Sequence, residues 1–118
     1  MGREILRELR HTGHGTFLLA RHPDSSVTHA IAREFSATIR AGDILNPDSL
    51  AAACHGMDAV IHLVGIISEV GEQTFEKVHT EGTRHMVAAA QSGGVKRFIQ
   101  MSALGTRAKA VARYHQTK

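Results

Sequence analysis

Ala59-Val-Ile-His-Leu-Val64 is apolar at every position but one. An apolar run of this kind is the form of a strand that helices cover on both faces, which is the environment of a parallel sheet. The same form recurs at Thr16-Phe-Leu-Leu-Ala20, broken by Arg21-His-Pro-Asp24, and at Val95 to Met101, with a weaker version at Ala37 to Ala41. Between these runs the apolar residues change period. Ile5, Leu6 and Leu9 mark an opening helix that Gly13 can end, and Val27, Ala30, Ile31 and Phe35 mark a second. Asn46-Pro47 supplies an N-cap and a first-turn proline for a third helix, which runs to about His55 and is closed by Gly56. From Phe75 onward Val78, His79, Gly82, Thr83, Met86, Val87 and Ala90 form one stripe, ended by Gly93-Gly94, and a last helix starts at about Ala110. Strands and helices that alternate at this spacing predict a doubly wound α/β fold with four parallel strands near residues 16–20, 37–41, 59–64 and 95–101. Ligands of such sheets sit at the carboxyl ends of the strands.

Composition narrows the function classes. The 118 residues fit one domain, and 42% hydrophobic with 21% charged residues is globular composition. The formal charge of +3 comes from 14 basic and 11 acidic residues spread without a block, with one Tyr and no Trp, which argues against nucleic-acid binding. Cys54 is alone, so an internal disulfide and a multi-cysteine metal site are both excluded, and a reducing, cytoplasmic setting is expected. Met1 to Arg10 lacks a continuous apolar signal region, and no apolar run approaches the roughly 18 residues of a membrane span. The nine histidines include no His-x-x-x-His pair, so no metal is expected; His62 reads as a satisfied core or strand-end side chain, and Cys54, Met86 and Met101 as packing residues.

The chemistry-bearing feature is Tyr114-His-Gln-Thr-Lys118 at a helix start. Four residues apart, a phenol and an ammonium project from one helix face about one turn apart. The ammonium favours the phenolate and can hold a ribose hydroxyl, so the tyrosine can exchange a proton with a carbonyl or alcohol. Ser102 lies twelve residues earlier, at the mouth of the last strand.

The succession Ala41-Gly-Asp-Ile-Leu45, Asp58-Ala-Val-Ile-His-Leu-Val-Gly65, Val78-His-Thr-Glu-Gly-Thr-Arg84, Val95-Lys-Arg-Phe-Ile-Gln-Met-Ser-Ala103 and Tyr114-x-x-x-Lys118 resembles the extended and atypical short-chain dehydrogenases/reductases. Within that family it looks most like the branch related to the NAD(P)H-binding accessory subunit of respiratory complex I. The resemblance implies a partial Rossmann domain over residues 1–118. It implies that Asp43 and Ile44 border the adenine, that Leu63, Val64 and Gly65 pass under the dinucleotide, and that Ser102, Tyr114 and Lys118 are the catalytic set, with Tyr114 and Lys118 also touching cofactor. Arg21, directly after the second strand of the family fold, implies NADP, through its 2′-phosphate, over NAD.

The departures are equally specific. In the family a first strand and a glycine-rich, phosphate-cradling turn precede the opening helix, and this chain starts at the last glycine of that turn, Gly2. The chain therefore reads as incomplete at both ends, with the strands at 16–20 and 59–64 either closing up or leaving a slot. His79 stands where extended members carry an active-site Asn, and no further Ser or Thr closely follows Ser102. Two functions stay open: an NAD(P)-dependent oxidoreductase, or by resemblance an epimerase/dehydratase-like enzyme, acting on an unidentified small molecule, and a dinucleotide-binding or assembly module without turnover that joins a partner protein or oligomer. An inactive fragment is the third alternative.

Overall fold

The computed structural model describes residues 1–118, which divide into two compact units, Met1–Asp43 and Ile44–Lys118. In the first, helix α1 (Gly2–His11) is followed by β1 (Phe17–Ala20), α2 (Ser26–Phe35) and β2 (Thr38–Ala41). Ser25 caps α2 by accepting the Thr28 amide, and Ser36 ends it in the left-handed conformation. Strands β1 and β2 run parallel, Phe17 opposite Thr38 through Ala20 opposite Ala41, because a helical crossover joins them. The apolar run at β1 predicts a strand covered on both faces, yet Phe17 and Leu19 are 40% and 36% exposed. Only Ala32 and Phe35, both on α2, are buried in this unit.

The second unit contains α3 (Pro47–Cys54), β3 (Ala59–His62), a π-helical turn (Glu76–Glu81) that runs into α4 (Gly82–Ser92), β4 (Arg97–Gln100) and α5 (Arg113–Thr117). Strands β3 and β4 pair in parallel, Ala59 opposite Arg97 through His62 opposite Gln100, and form a sheet separate from β1–β2. Each unit thus holds one parallel pair. Strand β3 stops two residues before the predicted end: Met101 closes the ladder on the His62 carbonyl, and the Val64 carbonyl is taken by a side chain. Helix α5 begins at Arg113 rather than near Ala110, after turns at 104–105 and 108–109. Asn46 occupies the predicted N-cap position, but its side chain makes no cap bond; its backbone carbonyl instead accepts from Ser49 Oγ and N.

The core of this unit joins Ile44, Leu50, Cys54, Val78, Met86, Ala89 and Ala90. Cys54 Sγ lies 3.9 Å from Met86 Sδ, so both act as packing residues. Gly82 lets Ile44 in, since a Cβ there would stand 2.6 Å from Ile44 Cδ1. The periodicity of residues 75–90 predicts a regular helix. Its first turns are instead π-helical, the Gly82 amide bonding to the Lys77 carbonyl. The widened turn leaves both Val78 and His79 buried, at 4% exposure each, a pattern that an ordinary stripe also fits.

Candidate functional site

Past β3 the chain crosses residues 63–66, and its backbone groups are met by side chains from elsewhere in the same unit. Lys118 Nζ, on the far end of α5, donates to the Val64 carbonyl at 2.8 Å. The Ile66 amide donates to His79 Nε2 at 3.0 Å, and His79 Nδ1 lies 3.0 Å from Thr117 Oγ1. The Tyr114 ring meets the His79 ring edge-on with centroids 5.3 Å apart, while Phe75 stacks on His79 at 5.5 Å. Gly65 lies between these groups. A Cβ there would lie 2.6 Å from Lys118 Nζ and 3.4 Å from His79 Nε2, so the missing side chain makes room for both.

Electrostatics favours neutral imidazoles here. Burial, and then the Lys118 ammonium, push His62 down to about 4. Its Nε2 lies 3.2 Å from Thr83 Oγ1, which satisfies the one fully polar side chain of β3. His79 is lowered for the same two reasons in the same order. A backbone partner raises a histidine pKa when a carbonyl accepts from the ring. At Ile66 the amide donates to Nε2, so we assign this bond to the neutral form. Burial also lowers Lys118. An ammonium has three donors, and Val64 uses one, leaving two for a ligand.

Of the residues singled out in the sequence, Val64, Gly65, Tyr114 and Lys118 come together. Ser102, exposed just past β4, is tied to them only through its Oγ, which donates to the Lys118 carbonyl at 3.5 Å, the long limit of a hydrogen bond. Leu63 is half-buried beside them in the chain. Ile44, expected against adenine, packs in the core, and its carbonyl bonds His85 Nδ1 at 2.8 Å. Gly2, Arg21 and Asp43 belong to the first unit: Gly2 opens α1, and Arg21 is the exposed residue directly after β1. Sequence reasoning passed over Thr117, Ile66 and Phe75. Thr117 sits inside the Tyr-x-x-x-Lys spacing without altering it, and Ile66 contributes only its backbone, so neither carried a signal. No group of three or more His, Cys, Asp or Glu side chains could hold a metal ion, and no helix is long and apolar enough to cross a membrane.

The family model described as NAD(P)H-binding matches residues 1–118. Among curated proteins, the photosystem II assembly factor Ycf39 of Synechocystis is 33% identical over 104 residues, covering 88% of this chain and 31% of the relative. The ceramide reductase of Caulobacter vibrioides is 28% identical over 118 residues, covering all of this chain and 36% of the relative. The chain thus spans about a third of the length of these relatives. Among solved structures, the crystal structure of gox2253 superposes with a TM-score of 0.73 at 31% identity, over 90% of this chain and 33% of that one.

Proposed function

Because the chain belongs to the NAD(P)H-binding family and is an extended short-chain dehydrogenase/reductase-like domain, we propose that residues 63–66 and helix α5 hold the nicotinamide end of the dinucleotide, NADP in preference to NAD. The observation that carries this reading is the Lys118–Val64 hydrogen bond beside Gly65, where the absent Cβ lets the ammonium lie against the backbone with two donors unspent. Those donors suit a ribose diol. The cofactor, when bound, supplies or accepts the hydride. Tyr114 would give a proton to a carbonyl oxygen, or take one from an alcohol. Ser102 would turn its hydroxyl from the Lys118 carbonyl to the same oxygen. In the first unit Arg21 would pair with a 2′-phosphate, with Gly2 and Asp43 as further candidate contacts, and in the second Leu63 would add one. The loops after β3 and β4 carry the exposed aliphatics Ile67, Val70, Leu104 and Val111, which supports a large apolar carbonyl or alcohol as substrate, in line with the relative named a ceramide reductase.

The test is a paired NADPH and NADH titration. NADPH should bind more tightly, K118M should weaken both by roughly tenfold or more through the loss of charge-assisted bonds, and R21E should move the preference toward NADH. Unchanged affinity in K118M contradicts the site. A second reading, a dinucleotide-binding assembly module without turnover, is favoured by the Ser102 hydroxyl pointing to backbone and by the relative named an assembly factor. Retained cofactor with no turnover of any apolar carbonyl tested supports it.

A further inference from the structure

Resting on that reading of the site, we propose that His79 is its positioning residue, an imidazole that fixes segment 64–66 with one ring nitrogen and helix α5 with the other. The direction of each bond follows from donor chemistry. The Ile66 amide can only donate, so Nε2 must be the acceptor and the ring proton must sit on Nδ1. Nδ1–H then donates to Thr117 Oγ1, whose own hydrogen goes to the Arg113 carbonyl at 3.0 Å or the Tyr114 carbonyl at 3.3 Å. A doubly protonated ring would lose the Ile66 bond and set a second positive charge near Lys118.

Helix α5 needs such an anchor. It has five residues, none of them buried, and a helix so short does not hold itself together in water. Its Glu69–Arg113 ion pair is long, at 3.9 Å, and solvent-facing at Arg113, which is worth little. The His115 carbonyl accepts from the Arg107 amide and the Tyr114 ring meets Phe75 edge-on, but the contacts that reach the 64–66 segment and the π-helical turn through hydrogen bonds are Lys118 on Val64 and Thr117 on His79, with Tyr114 packed on the same ring. His79 is buried to 4% exposure on the π-helical turn, with Phe75 stacked on its face and Tyr114 edge-on, so its ring is held by both the turn and α5. Through this ring the 64–66 backbone and the Tyr114–Lys118 pair share one reference point.

The two nitrogens can be separated by mutation. Asparagine reaches the position of Nδ1, so H79N can keep the Thr117 bond, while glutamine reaches Nε2, so H79Q can keep the Ile66 bond. The full chain would be followed by amide hydrogen exchange and NADPH titration, and by long-range proton–nitrogen spectra of the imidazoles. We expect the His79 proton on Nδ1. H79A should speed exchange at Ile66 and at His115, Gln116 and Lys118 by about tenfold, and weaken NADPH by a similar factor. H79N should spare the α5 amides, H79Q should spare Ile66, and T117V, a change near the surface, should loosen α5 alone. A proton on Nε2, or unchanged α5 exchange in T117V and H79A, overturns the proposal. The expected exchange pattern with no NADPH binding to any form would support the His79 anchor while overturning the cofactor reading.

Discussion

Met1–Asp43 and Ile44–Lys118 use the same local pattern, helices around a two-stranded parallel ladder, but bury different things. The first exposes Phe17 and Leu19 along β1, and its ion pairs, Arg3 with Glu34 and Arg7 with Glu4, lie in solvent. The second encloses a continuous apolar cluster and two buried histidines, each with a hydrogen-bond partner. Solvent-exposed charges shape a surface at little energetic consequence, whereas a buried polar group must be bonded or cost roughly 1–3 kcal/mol. The perturbed groups His62, His79 and Lys118 all fall in the second unit, which is why its polar residues are the ones read as a site.

That contrast can be broken by mutation. Leu50 is fully buried, so L50A should cost about 3 kcal/mol, within the usual range for a leucine cavity. Removing the side chain of Leu19, 36% exposed, should cost under about 1 kcal/mol. Equal losses in urea denaturation would erase the distinction between the units.

Acid should act mainly through the second unit. His62 has a folded pKa of about 4 against 6.5 unfolded, so the unfolded chain takes up the proton first. Its contribution is therefore fully present above pH 6.5, falls as pH drops toward 4 and then levels off, with a total below about 3 kcal/mol once discounted for solvent screening. H62N should flatten stability against pH across that window, and an unaltered slope would contradict the assignment. G82A should cost about 2 kcal/mol by forcing Ile44 out of its place, measured by thermal melting. Smallest of all, E34A should cost under about 1 kcal/mol, and high salt should remove even that.

Most of the architecture was legible in the sequence because it rests on periodicity: four strands, each paired in parallel, the helices between them, and Cys54 and Met86 in the core. The π-helical turn was not, since Val78 and His79 satisfy a 3.6-residue stripe and a widened turn alike. β1 reads as doubly covered from its composition, but coverage depends on what packs against it, which no local pattern encodes. At the site, Tyr114 and Lys118 were singled out by their spacing on a helix, and Val64 and Gly65 through motif resemblance. His79 was visible only as a departure from asparagine, and its link to Thr117 and to the Ile66 amide exists only once β3 and α5 are brought together.

If Gly65, His79 and Lys118 hold the dinucleotide where they meet, an amide proton–nitrogen titration of the full chain with NADPH will register it at that place. This placement gives saturable shifts concentrated at Gly65, Ile66 and Lys118. No saturable shift at those amides, or binding that perturbs only α3 and β4, would contradict it.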